Sequence, residues 1–155
     1  MNIKAWARRI FGLQHRYDKV VEVFNSLGQK GRLLDAGARY GKISKKLKEN
    51  GFDVVAADIH YRDFPTQEIP SVIANFNDPL PFKENTFDFV LCSNNIEYLE
   101  NPYRFVRECY RILSAGGKLL IETPSHGLFP NLSSHLPHNL SSLQERKEAF
   151  LEGEK

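Results

Sequence analysis

The chain has little of several things that would otherwise decide its class. It carries only two cysteines, one tryptophan and one methionine in 155 residues. Cys92 and Cys109 sit inside apolar runs, and their spacing fits neither a zinc site nor a redox pair. A disulfide framework or a cysteine-held metal is therefore excluded, and no metal is expected; buried thiols in a reducing compartment are the reading that remains. No stretch approaches the roughly 18 uninterrupted apolar residues of a membrane span. Residues 1–13 alternate charged and apolar groups and show no apolar core of a secretion signal, so a cytoplasmic location is expected. Charge of one sign is lacking too. The net charge is +2 with acids and bases interspersed, which calls for no nucleic-acid partner. Repeats and low-complexity tracts are absent, and the length suits one domain with one core.

What is present is a series of short apolar runs alternating with helical periods. Leu33 and Leu34 run into Asp35, then Gly37 and Gly41 flank a turn, and Lys42–Leu47 is helix-compatible. Strand, glycine turn and helix in that order form the first βα unit of a nucleotide-binding domain. Gly37 allows a close approach of backbone to ligand because it has no Cβ. Asp53–Ala57 reads as a strand buried on both faces. It ends at Asp58, about 20 residues past Gly37, the spacing at which a strand-tip carboxylate accepts from ribose hydroxyls. Ser71–Phe76 and Phe87–Ser93 are further strands. Asn101 and Pro102 open a helix as N-cap and first-turn residue. Its apolar face is Phe105, Val106, Cys109, Tyr110 and Leu113, and Gly116-Gly117 ends it before a fifth strand, Lys118–Thr123. The architecture expected is an α/β, doubly wound, mainly parallel sheet, abbreviated after the fifth strand.

Two segments stand outside this alternation. Ile3, Trp6, Ala7, Ile10 and Phe11 form an apolar stripe flanked by bases near the start of the chain. It suits an anionic membrane surface, a cap on the core or a lid over a pocket. Residues 125–155 hold His126, His135 and His138 among serines and prolines, then a capping box at Ser142 and Glu145. This segment is expected to belong to the same domain as residues 1–124.

Taken together, the residues Leu33–Gly41, Asp58, Leu80–Val90, Glu97–Leu99 and Glu108–Ile121 resemble a class I S-adenosylmethionine-dependent methyltransferase, of the ubiquinone- and menaquinone-biosynthesis type. The resemblance implies a Rossmann-like fold and S-adenosylmethionine as cofactor. It implies that Asp35 and the backbone of Ala36, Gly37 and Ala38, with Gly41, hold the methionine part. Asp58 takes the ribose, Asn75 and Phe76 lie at the adenine, and Ser93 lines the site near the sulfonium. The chain departs from the family at Arg39, where a third glycine is usual, at Asn75 for an aspartate, and at Tyr98 for a histidine. It also departs in length: the family sheet has seven strands, and residues 125–155 carry no alternating run for the last two. Either the fold is abbreviated or another chain completes the edge, as in a homo-oligomer.

In-line methyl transfer to a small-molecule acceptor needs mainly proximity and orientation. A base is needed only where the acceptor loses a proton, and Glu97, Tyr98, His126, His135 and His138 are the candidates. A nicotinamide oxidoreductase would share the fold, but Gly37-Ala38-Arg39-Tyr40-Gly41 does not fit its glycine spacing. The other alternative is a non-catalytic module that keeps the fold to bind the cofactor or a partner.

Overall fold

A computed structural model of the chain describes residues 3–60 and 68–123, with side chains from residue 15 onward. The chain divides into two compact units, Met1–Thr123 and Pro124–Lys155, and the described residues lie in the first. Its elements are α1 (Ile3–Ser26), β1 (Arg32–Ala36), α2 (Lys42–Glu49), β2 (Asp53–Asp58), β3 (Ser71–Ile73), β4 (Phe87–Ser93), α3 (Pro102–Ile112) and β5 (Leu113–Glu122). The five strands form one sheet in the order β3-β2-β1-β4-β5, and every neighbouring pair is parallel. This is the Rossmann-like architecture expected.

Alternation along the strands explains why the sheet is covered on both faces. Leu33, Val54, Ala56, Phe89 and Leu91 point to one side, where they pack with Val20, Val21 and Phe24 of α1 and Ile43 and Leu47 of α2. Leu34, Val55, Ala57, Val90 and Cys92 point to the other side, toward Phe105, Cys109 and Ile112 of α3. The first face is knitted by Phe24, Phe52 and Phe89, whose rings meet edge to face with every centroid pair 5.7 Å apart. Each such buried ring contributes about 1.5–3 kcal/mol by leaving water. Both cysteines are buried and free. Desolvation pushes the Cys92 thiol up to about 12 and raises Cys109 well above its ordinary value, so both are inert thiols.

Three boundaries differ from the sequence reading. The stripe near the start and the period after Tyr17 form one continuous helix. The third strand stops at Ile73, because Asn75 turns the chain: its Oδ1 accepts from the Asn77 amide at 3.1 Å and its Nδ2 donates to Asp78 at 2.8 Å. The last strand begins at Leu113 rather than Lys118. Leu113 pairs with Phe87, while Phe89 pairs with Lys118, so the intervening residues form an irregularity within the strand. Gly116 turns there at a φ of 78°, and a Cβ on Gly117 would lie 2.9 Å from the Ser114 carbonyl. The glycine pair serves a bulge, not a helix stop. The helix face is correspondingly narrower than expected: Phe105, Cys109 and Ile112 are buried, while Tyr110 is exposed. The N-cap expected at Asn101 is present, its side chain accepting from the Arg104 amide at 3.0 Å.

Candidate functional site

The strand order reverses between β1 and β4, with α2 leaving β1 toward one face and α3 leaving the β4 end toward the other. In a parallel sheet that is where the carboxyl ends open a crevice for ligand. The β1–α2 turn forms one wall. Gly37 turns at a φ of 88° and Gly41 caps α2 at 64°. A Cβ on Gly37 would stand 2.7 Å from Cγ of Asn95, so the turn and the loop after β4 touch through an atom that only glycine lacks. The Gly37 and Ala38 amides donate to the Ala57 carbonyl at 2.8 and 3.1 Å and tie the turn to β2.

Asp35 sits below this turn, fully buried at the end of β1. Desolvation is the largest influence on it and pushes its carboxyl up to about 6; the Ser44 hydroxyl, donating at 2.5 Å, works against that rise, and the charge of Asp58 adds to it. Asp58, at the tip of β2, has both oxygens held by backbone. Oδ2 accepts from the Arg39 amide at 2.8 Å and Oδ1 from the His60 amide at 2.9 Å. A carboxylate fixed by two amides is aimed before any ligand arrives. Arg39 itself adopts a φ of 45° and lays its guanidinium over the Tyr40 ring at 4.9 Å. The residue that replaces the usual glycine is exposed there.

The opposite wall is the loop after β4, where Ile96–Tyr98 makes a short 3-10 turn. Asn95 Nδ2 and Glu97 Oε2 are buried there without a hydrogen-bond partner. Further along, Ser93 at the end of β4 donates to Glu122 of β5, and Arg16 of α1 lies 3.7 Å from the same carboxylate. Arg16 Nε makes that ion pair but no hydrogen bond, the third such buried side-chain atom among the described residues. Buried polar groups are ordinarily paired, and all three exceptions stand near the carboxyl ends of the strands.

The expected residues therefore divide. Asp35, Ala36, Gly37, Ala38, Gly41, Asp58 and Ser93 surround the carboxyl ends of β1, β2 and β4. Asn75 is exposed and occupied by its own turn. Phe76 is buried, edge to face with Phe105 at 5.5 Å. Ile59, exposed and next to Asp58, is the apolar surface at that position, and the sequence reading missed it. It missed Asn95 and Arg16 as well, since their roles come from contacts across distant segments. Glu97 belongs to the crevice wall, and Tyr98 is exposed beside it. His126, His135 and His138 lie outside the described residues. No group of three or more ligating side chains suits a metal among the described residues, and no helix among them is long and apolar enough to cross a membrane.

The residues present suit a ligand with a polar, charged end. Asp58, held by two backbone amides, and the polar atoms of Asn95 and Glu97 that lack a hydrogen-bond partner lie together at the carboxyl ends of the strands. Comparisons with known proteins agree. The chain is 32% identical over 102 residues to the demethylmenaquinone methyltransferase of Renibacterium salmoninarum, covering 63% of this chain and 43% of that protein. It is 32% identical over 106 residues to an uncharacterised protein of Methanocaldococcus jannaschii, covering 68% of this chain and 50% of that one; the chain thus spans about half the length of the curated relatives it matches. In fold it resembles an S-adenosylmethionine-dependent methyltransferase of Mesorhizobium loti, with a TM-score of 0.55 at 24% identity over 59% of this chain and 46% of that one. Residues 34–121 match the family described as a methyltransferase domain, and the chain belongs to that family, with S-adenosylmethionine as its cofactor.

Proposed function

We propose that this chain transfers a methyl group in line from S-adenosylmethionine to a small-molecule acceptor. The observation that carries the reading is Asp58 at the tip of β2, a carboxylate whose two oxygens are held by the Arg39 and His60 amides beside the β1–α2 glycine turn. The bound cofactor supplies a methyl group on a sulfonium, already activated toward a nucleophile. The chain's own contribution is binding and orientation. Asp58 offers its remaining lone pairs to two ribose hydroxyls, and Ile59 offers an apolar surface to the base. Asp35, which burial pushes up to about 6, is mostly ionised at neutral pH and becomes more so as a cationic group approaches. Nothing cationic opposes the sulfonium from the glycine turn, because Arg39 is stacked on Tyr40.

The same crevice would serve a non-catalytic binding module, and fold alone does not decide between the two. Calorimetric titration with S-adenosylmethionine and S-adenosylhomocysteine, with NADH as control, tests the site. Micromolar binding of the first two and none of the third is expected. Absence of binding at millimolar ligand would overturn the reading, and binding without turnover on any acceptor would leave the module.

A further inference from the structure

Ser44 is a polar residue on the buried stripe of α2. It lies there between Ile43 and Leu47 with none of its surface exposed. An apolar side chain would pack at such a position, and a hydroxyl there needs a partner. The partner is Asp35, whose Oδ2 accepts from the Ser44 hydroxyl at 2.5 Å. Along the sheet, Asp35 has only apolar neighbours at its own level, Ala56 of β2 and Leu91 of β4, both fully buried. Replacing both members of a buried polar pair by apolar groups of the same shape is nearly neutral for stability. Packing therefore does not explain this pair. What it supplies is a carboxylate shut away from water beneath the glycine turn, close enough to Asp58 to feel its charge.

Resting on the transferase reading, we propose that Ser44 is a positioning residue: its hydroxyl holds Asp35 as an anion, so that the cationic cofactor binds at neutral pH without first displacing a proton. Burial pushes the Asp35 carboxyl up to about 6, and the Ser44 hydroxyl is the largest influence against that rise. The Ser44 amide acts in the same sense, and Asp58 of β2 acts against both. On β4 the facing titratable group is Cys92, a thiol that burial keeps neutral. On α1, Arg16 is engaged with Glu122 and Asp18 with Lys46 of α2. S-adenosylmethionine carries positive charge on its sulfonium and its ammonium, and either one over the turn favours the carboxylate. Any Asp35 that holds a proton must lose it on binding: the carboxyl O–H bond breaks and the proton passes to the buffer. Affinity then falls as pH drops through the value at which free Asp35 ionises, and is full above it. Removing the hydroxyl moves that fall upward, into the neutral range.

The test is calorimetric titration of the full chain with S-adenosylmethionine from about pH 5.5 to about pH 8.5. Each titration is run in two buffers of different ionisation heat, so that released protons are counted. The unaltered chain should release up to about half a proton at about pH 6 and almost none at about pH 8. Ser44→Ala should move the release toward neutral pH and weaken binding several-fold at about pH 7. Its affinity at about pH 8.5 should stay within about twofold of the unaltered chain, which also shows that the variant is folded. Asp35→Asn should abolish the release, assigning the proton to Asp35 rather than to Asp58 or His60. A loss in Ser44→Ala that is equal at every pH would make the hydroxyl a packing group and overturn the proposal. An unchanged proton count in that variant would overturn it too. Should Ser44→Ala fail to fold, Asp35→Asn decides, since release that persists in it clears Asp35 of any part. Failure of the unaltered chain to bind S-adenosylmethionine at any pH would instead sink the transferase reading beneath.

Discussion

The two ends of this one sheet are built from the same residue types and treat them in opposite ways. At the amino ends of β4 and β5, polar groups are paired to completion. Arg111 donates to the carbonyls of Phe82 and Leu80 at 2.8 and 3.0 Å and to Glu108 at 2.7 Å, while Glu108 accepts from the Leu80 amide at 2.8 Å. The hydrogen bond from Arg111 is the main reason Glu108 is held below its ordinary value, and Glu108 in turn raises Arg111. Asp88 receives the Arg32 amide at 2.9 Å. At the carboxyl ends, Asn95 and Glu97 keep buried atoms without a hydrogen-bond partner, and Asp35 is buried against its charge. An unpaired buried group costs about 1–3 kcal/mol. A fold tolerates that cost where a ligand supplies the missing partner, and not where only architecture is at stake.

The sharpest way to break the contrast is to relieve the carboxyl end. The folded protein holds the Asp35 proton more tightly than the unfolded chain does. Its contribution is therefore full below about pH 4 and lost as pH rises through about 6. Urea unfolding across pH 4–8 should show a decline of about 3 kcal/mol from this group. Asp35→Asn should flatten that decline and be the more stable form at pH 8. A decline of the same size in the variant would clear Asp35 of responsibility.

At the amino end the opposite holds. Arg111→Ala should lower stability by about 2–3 kcal/mol, because two carbonyls and a carboxylate lose their donors together. Cofactor affinity per folded molecule, measured by calorimetry, should not change. A weakened affinity would show that the clamp reaches the crevice.

Asp58→Ala addresses the ligand side alone. Losing charge-assisted hydrogen bonds to the ribose should cost about 1.5–3 kcal/mol of cofactor affinity. Unchanged binding would remove Asp58 from the ribose site. The smallest effect is expected at Arg39→Gly. Glycine at a φ of 45° removes Cβ strain while keeping the amide that binds Asp58, so stability should rise by about 0.5–1 kcal/mol. A destabilised variant would mean that the stack on Tyr40 outweighs the strain.

The devices legible in sequence are local or periodic: Asn101 before Pro102, Phe105 and Cys109 at helical spacing, and strands of alternating face. The Gly37 turn and Asp58 were legible for the same reason, as a strand tip and a turn read along the chain. What the sequence did not disclose depends on side chains meeting across long separations. Asn95 matters because it rests on Gly37, and Arg16 because α1 carries it to Glu122. Phe76 is buried against Phe105 after the short polar turn set by Asn75, a packing that local sequence did not disclose. The glycine pair after α3 misled because a bulge and a helix stop demand the same residue.

The contact of Asn95 with Gly37 has a thermodynamic reach beyond the shape of the crevice. It joins the glycine turn proposed to meet the cofactor to the loop after β4 that carries the candidate bases Glu97 and Tyr98, so a shift of one presses on the other. Two ligands that press on such a joint are linked. Whatever factor the acceptor imposes on cofactor affinity, the cofactor must impose on the acceptor.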